Sequence, residues 1–74
     1  MSDPVSSPSH YTQGNIECID AIEAALGREG FLAFLRGQQI KYAWRAGLKA
    51  DTVQDLEKQR WYLDREIATR GKAP

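Results

Sequence analysis

Cys18 is the only cysteine in the chain and His10 the only histidine, and these two counts constrain the fold more than any other feature. An intrachain disulfide is excluded, and one thiol with one imidazole cannot make a zinc cluster. A chain of 74 residues buries only about 60% of its unfolded surface. A core that small, with neither staple, leans on a partner subunit. The expectation is one domain, too short for a complete conventional enzyme, that assembles as a homo-oligomer. One free thiol and no signal-peptide pattern predict a reducing cytoplasm. The apolar runs fall far short of the roughly 20 residues that span a bilayer, so no membrane partner is expected.

Net charge is zero but unevenly placed. Residues 1–29 carry Asp3, Glu17, Asp20, Glu23 and Glu29 against Arg28, and residues 30–50 carry Arg36, Lys41, Arg45 and Lys49 with no acid. Residues 51–74 are balanced. A neutral chain is a poor general nucleic-acid binder, because that affinity comes from accumulated phosphate contacts. The cations of the middle segment could hold one small anion, or pair with the acidic first segment.

Residues 1–9, with four serines and two prolines, read as a disordered leader. Residues 10–70 read as a single all-α domain of three helices joined by short loops, and 71–74 as a frayed tail. The first helix is expected from about Asn15, a good N-cap, to Leu26, with Gly27 as its stop. Ile16, Ile19, Ile22 and Leu26 share one face of it, with Glu23 inside the stripe. The second helix is expected from about Gly30 to Ala46, ending at Gly47. It has one apolar face at Phe31, Phe34, Leu35 and Tyr42, and a second opposite at Ala33, Gly37, Ile40 and Trp44. Apolar character on two sides predicts burial on two sides, one of them against another subunit. The third helix is expected from about Thr52 to Thr69. Asp51 and Gln54 resemble a capping box, and Leu56, Leu63 and Ile67, with the stem of Arg60, form its expected core stripe.

On the second helix, Phe34, Gln38, Lys41 and Arg45 follow at spacings of four, three and four, within about 60° of arc. Gln38 and Arg45 interrupt a side that packing alone would make apolar, and a buried amide or guanidinium needs a partner. Glu23 or Asp55 could supply it in a structural ion pair. A phosphate could equally do so, gripped bidentately by Arg and as a point charge by Lys. The third helix has a matching ridge at Asp55, Lys58, Tyr62 and Arg65, spaced three, four and three, where a solvated charged face is the default reading. Tyr42, Trp44, Trp61 and Tyr62 interleave with these cations, a mixture suited to a stacked base beside a phosphate. Trp44 and Trp61 are assigned mainly to packing. His10 and Tyr11 have no pattern-based reason to be buried, and His10 is either a plain surface residue or a phosphate or ribose contact.

Neither a GxxxxGK[ST] phosphate loop nor a GxGxxG turn is present, and no catalytic triad order or HExxH helix occurs. Cys18, beside Glu17 and Asp20, lacks the surroundings that favour a thiolate and reads as structural. Glu17, Asp20 and Glu23 resemble half of an acid-rich magnesium site, but Asp64 and Glu66 fit the second half poorly, so no metal site is assigned.

Three spaced blocks carry a resemblance: His10-Tyr11-x-x-Gly14-x-Ile16-Glu17-x-Ile19-Asp20, Gly37-x-x-Ile40-Lys41-Tyr42-x-x-Arg45-Ala46-Gly47-x-Lys49, and Asp55-Leu56-x-Lys58-x-x-Trp61-Tyr62-Leu63. Together they resemble a small phage and prophage domain family with the pattern HYxxGxIExID, GNxxKYxxRxxxK and DLxKAxWYL. The resemblance covers roughly residues 9–67. That family includes the C-terminal part of a podophage kinase of deoxynucleoside monophosphates that lacks a conventional phosphate loop. The resemblance implies site residues at His10, Tyr11, Glu17, Asp20, Lys41, Tyr42, Arg45, Asp55, Lys58 and Tyr62. Gln38 stands where the pattern has Asn, and the kinase's large extra region has no counterpart here.

Three functions follow as expectations. The first is a module that holds a nucleotide or nucleotide-derived immune signal, as a phage anti-defence sponge in the host bacterial cytoplasm. His10, Tyr11, Gln38, Lys41, Arg45 and Lys58 would grip the ligand, and Tyr42, Tyr62, Glu17, Asp20 and Asp55 would stack on the base or support the site. The second is nucleoside monophosphate kinase activity by an oligomer, the one case that calls for Mg2+. The third is a phage adaptor for a host protein. No catalytic residue is assigned.

Overall fold

A computed structural model of the chain describes residues 12–13, 16–48 and 51–73. It opens with two short antiparallel strands, β1 (Thr12–Gln13) and β2 (Ile16–Glu17), with Thr12 opposite Glu17 and Gln13 opposite Ile16. Two helices follow, α1 (Cys18–Arg45) and α2 (Thr52–Gly71). The architecture is helical, as expected, but it has two helices where three were expected.

The difference lies at Gly27. α1 runs through both of the first two expected helices, and Gly27 interrupts it with φ 73° and ψ 175°. That backbone region is essentially open to glycine alone. One residue therefore provides the break, and Arg28 resumes the helix with no loop between. The start of the first helix also moves. Asn15, the expected N-cap, lies outside the described residues, and the helix begins at Cys18 with Glu17 in the cap position and no side-chain cap bond. Ile16 and Glu17 are instead engaged with β1.

The other helix ends match expectation. The Ala46 N–H donates to the Tyr42 carbonyl at 3.0 Å, and Gly47 follows at φ 87°. At the start of α2 the Asp51 carboxylate accepts the Gln54 N–H at 2.8 Å, satisfying one of the donors that a helix start leaves unpaired.

α2 packs antiparallel to the part of α1 beyond Gly27. Arg45 meets Asp55, Gln38 meets Tyr62, Arg36 meets Glu66, and Arg28 donates to the Thr69 carbonyl. Phe31 and Leu35 are completely buried, and Leu32 and Tyr42 nearly so; each of the fully buried pair contributes roughly 1.5–3 kcal/mol. This is the expected apolar face of the second helix.

The expected inner face of α2 is overturned. Leu56, Leu63 and Ile67 are exposed, and Asp55, Glu66 and Thr69 are buried in their place. The cause is on α1, whose facing side carries Arg36, Gln39 and Arg45. These donors need acceptors, and Asp55 and Glu66 of α2 turn inward to meet them. Asp55, Lys58, Tyr62 and Arg65, read as a solvated face, are thus all buried or half-buried. Ile16 and Leu26, expected on a buried face, are exposed, as are Ala33, Gly37, Ile40 and Trp44, the last at 77%. Trp44 is therefore not a packing residue within this chain. Cys18 is exposed too. Among the described residues no helix is long and apolar enough to cross a membrane.

Candidate functional site

The helix pair brings its aromatic and basic ridges together at Tyr42. The Tyr42 ring stacks on that of Tyr62 across the helix interface, with centroids 5.9 Å apart and planes 8° from parallel. Phe34 and Trp61 both meet Tyr62 edge-on, at 6.2 Å and 4.9 Å. The Tyr42 ring also gathers charge. Lys41 Nζ lies 4.6 Å from its centroid, Lys58 Nζ 5.3 Å and the Arg45 guanidinium carbon 5.5 Å. Lys41 and Arg45 reach it from one and three residues away on α1, and Lys58 crosses from α2. A cation over an aromatic face gains about 0.5–1 kcal/mol at exposed sites, which helps hold like charges together.

One carboxylate belongs to this cluster. Arg45 Nη2 lies 3.7 Å from Asp55 Oδ1, a long pair, and Asp55 is buried. Arg45 Nε and Asp55 Oδ2 are both buried and have no hydrogen-bond partner among the described residues. Three cations against one acid leave an excess of two positive charges. Gln38 donates to Tyr62 Oη at 3.4 Å, so its amide touches the aromatic stack.

Two further ionic clusters line the same interface. Glu66 accepts from Arg36 at 2.8 Å, from Gln39 at 2.6 Å and from Arg70 at 2.6 Å. The hydrogen bond from Arg36, with those from Gln39 and Arg70, lowers the Glu66 carboxyl to about 2. Arg65 donates to Asp20 and to Glu23, both at 3.0 Å, and lies over the Phe31 ring. Burial opposes the Arg65 charge, but the two carboxylates outweigh it and raise its pKa.

The expected site residues separate into three groups. Gln38, Lys41, Tyr42, Arg45, Asp55, Lys58 and Tyr62 come together. Asp20 is held by Arg65, Glu17 is half-buried in β2, and neither touches the Tyr42 cluster. His10 and Tyr11 lie outside the described residues. The cations of the middle segment turn to α2 rather than to the acidic first segment: Arg36 pairs with Glu66 and Arg45 with Asp55. The Glu66 cluster escaped the sequence reading. Its signals were present as Arg36 with Gln39 three residues on and Glu66 with Arg70 four on, spacings that share a helix face.

The chain belongs to a protein family of unknown function, DUF3310, whose pattern matches residues 5–64. This fits the small domain family that the three spaced blocks resemble. No curated protein and no solved structure matches the chain.

Proposed function

We propose that this DUF3310 domain binds a phosphorylated small molecule of the nucleotide class at the Tyr42 cluster, and holds it without converting it. The observation that carries the reading is the convergence of Lys41, Lys58 and Arg45 on one ring with only Asp55 to offset them. Like charges gathered at the edge of a helix interface repel, and a phosphate's oxygens would relieve that repulsion. Lys41 and Lys58 would act as point charges and Arg45 as the directional donor. The aromatic group beside them, Tyr62 and Trp61, suits a base next to a phosphate.

The resemblance to a phage and prophage family supports the nucleotide class, and with it a sequestering, anti-defence role inside a bacterial host. Kinase activity is the competing reading. Phosphoryl transfer needs two nucleotide sites, a metal and exclusion of water. Asp20 and Glu23, two of the three acids that a magnesium site would draw on with Glu17, are both engaged by Arg65.

The test is calorimetry and thermal melting with nucleoside monophosphates, ATP, cyclic dinucleotides and inorganic pyrophosphate, with and without EDTA. The expected result is a nucleotide-induced shift that survives EDTA, with no diphosphate formed from monophosphate and ATP. Lys41→Ala should weaken binding at least ten-fold, about 1.4 kcal/mol, with helical content unchanged. Product formation would favour the kinase. A protein indifferent to every phosphorylated compound would remove the proposal and leave the adaptor reading, which the exposed Ile40 and Trp44 favour. Mass spectrometry of small molecules released on denaturation would name a co-purified ligand directly.

A further inference from the structure

The outer face of α2 carries a pattern that the fold does not use. Val53, Leu56, Arg60, Leu63 and Ile67 succeed one another at spacings of three, four, three and four, the repeat of a helix–helix seam. All five are exposed, and the buried residues of α2 lie on its other side, at Asp55, Glu66 and Thr69. We propose that this stripe pairs with the same stripe of a second copy, antiparallel, as a two-fold dimer. The proposal is independent of the ligand reading.

The stripe itself argues for a second copy rather than an unrelated partner. It is close to palindromic, with two aliphatic residues on either side of Arg60, and two-fold interfaces require such self-complementarity. Arg60, Glu57 and Asp64 are exposed, and none of them makes an ion pair among the described residues. Parallel alignment would set Arg60 against Arg60. With an antiparallel axis between residues 60 and 63, Leu56 faces Ile67 of the other copy and the Arg60 stem lies along the other Leu63. The guanidinium then falls within about one residue's rise, roughly 1.5 Å along the axis, of the other copy's Asp64. Each Arg60 meets an acid, and Leu56 and Ile67 cover one another. Among the described residues of one copy just two large side chains, Phe31 and Leu35, are completely buried, and so small a core gains from this cover.

Sedimentation velocity on the full chain over a concentration series tests the proposal. The wild-type chain should dimerise. Leu63→Asp should raise the dissociation constant at least ten-fold with its helical ellipticity intact, because Leu63 is an exposed residue of α2. Trp44→Asp, on the opposite apolar face, should leave the dimer unchanged. Arg60→Asp should weaken it, and adding Asp64→Arg should restore it, a rescue that a general loss of stability cannot produce. A monomer at every concentration, or an assembly that survives Leu63→Asp, overturns the proposal.

Discussion

Lys41 and Arg45 face the same ring, yet removing each has a different consequence. Lys41 is exposed and makes no ion pair among the described residues, so Lys41→Ala should weaken ligand binding and cost the fold no more than its contact with the Tyr42 ring, about 0.5–1 kcal/mol. Arg45 is the partner of a buried carboxylate, Asp55. Arg45→Ala should therefore also destabilise the fold, by about 1–3 kcal/mol for the acid left unpaired. Thermal melts of both variants without ligand separate the two effects. Glu66 gives a pH signature. Its carboxyl sits at about 2, below the ordinary 4.5, so it is depressed in the folded chain. Its contribution is complete above about 4.5 and is lost as the pH falls toward 2. Glu66→Gln should lower the Tm at neutral pH and flatten its decline across that window. At this scale the sequence was informative about cations and less so about their partners. Gln38, Lys41 and Arg45 are legible as a ridge because spacing along one helix is enough. That Asp55 rather than Glu23 answers Arg45, and that Glu66 answers Arg36, depends on how α2 is turned, which no local pattern contains.

The turning of α2 is decided between two stripes of the same period. Leu56, Leu63 and Ile67 form the apolar one and Asp55, Tyr62, Glu66 and Thr69 the polar one, and hydrophobicity alone selects the wrong face. The donors of α1 select the right one, and the apolar stripe is left for a partner. Gly27 shows a similar limit. It is legible as a helix stop, and its break is real, but one residue in a glycine-only conformation needs no loop beside it. Gly27→Ala should destabilise the chain by about 1–3 kcal/mol, read as a fall in the denaturant midpoint. The cost is conformational rather than steric, since a Cβ at this position meets nothing within 4 Å. A similar loss is therefore expected for other non-glycine residues there, whatever their size.

For the whole molecule, the small core and the seam on α2 bear on each other. If two copies share the aliphatic stripe, association and folding are linked, and the Tm should climb with protein concentration. Calorimetric scans of a dilution series would show it, and Leu63→Asp should abolish the dependence. The acids and bases between α1 and α2 have a further effect. An all-aliphatic boundary between two helices tolerates slippage, because one methyl group replaces another at little loss. Here a displacement by one helical turn would carry Glu66 away from Arg36 and Gln39 and leave the buried carboxylate with Arg70 alone. The ionic contacts thus work as an index mark that admits a single alignment of the two helices, and Tyr62 comes to rest on Tyr42 because of it.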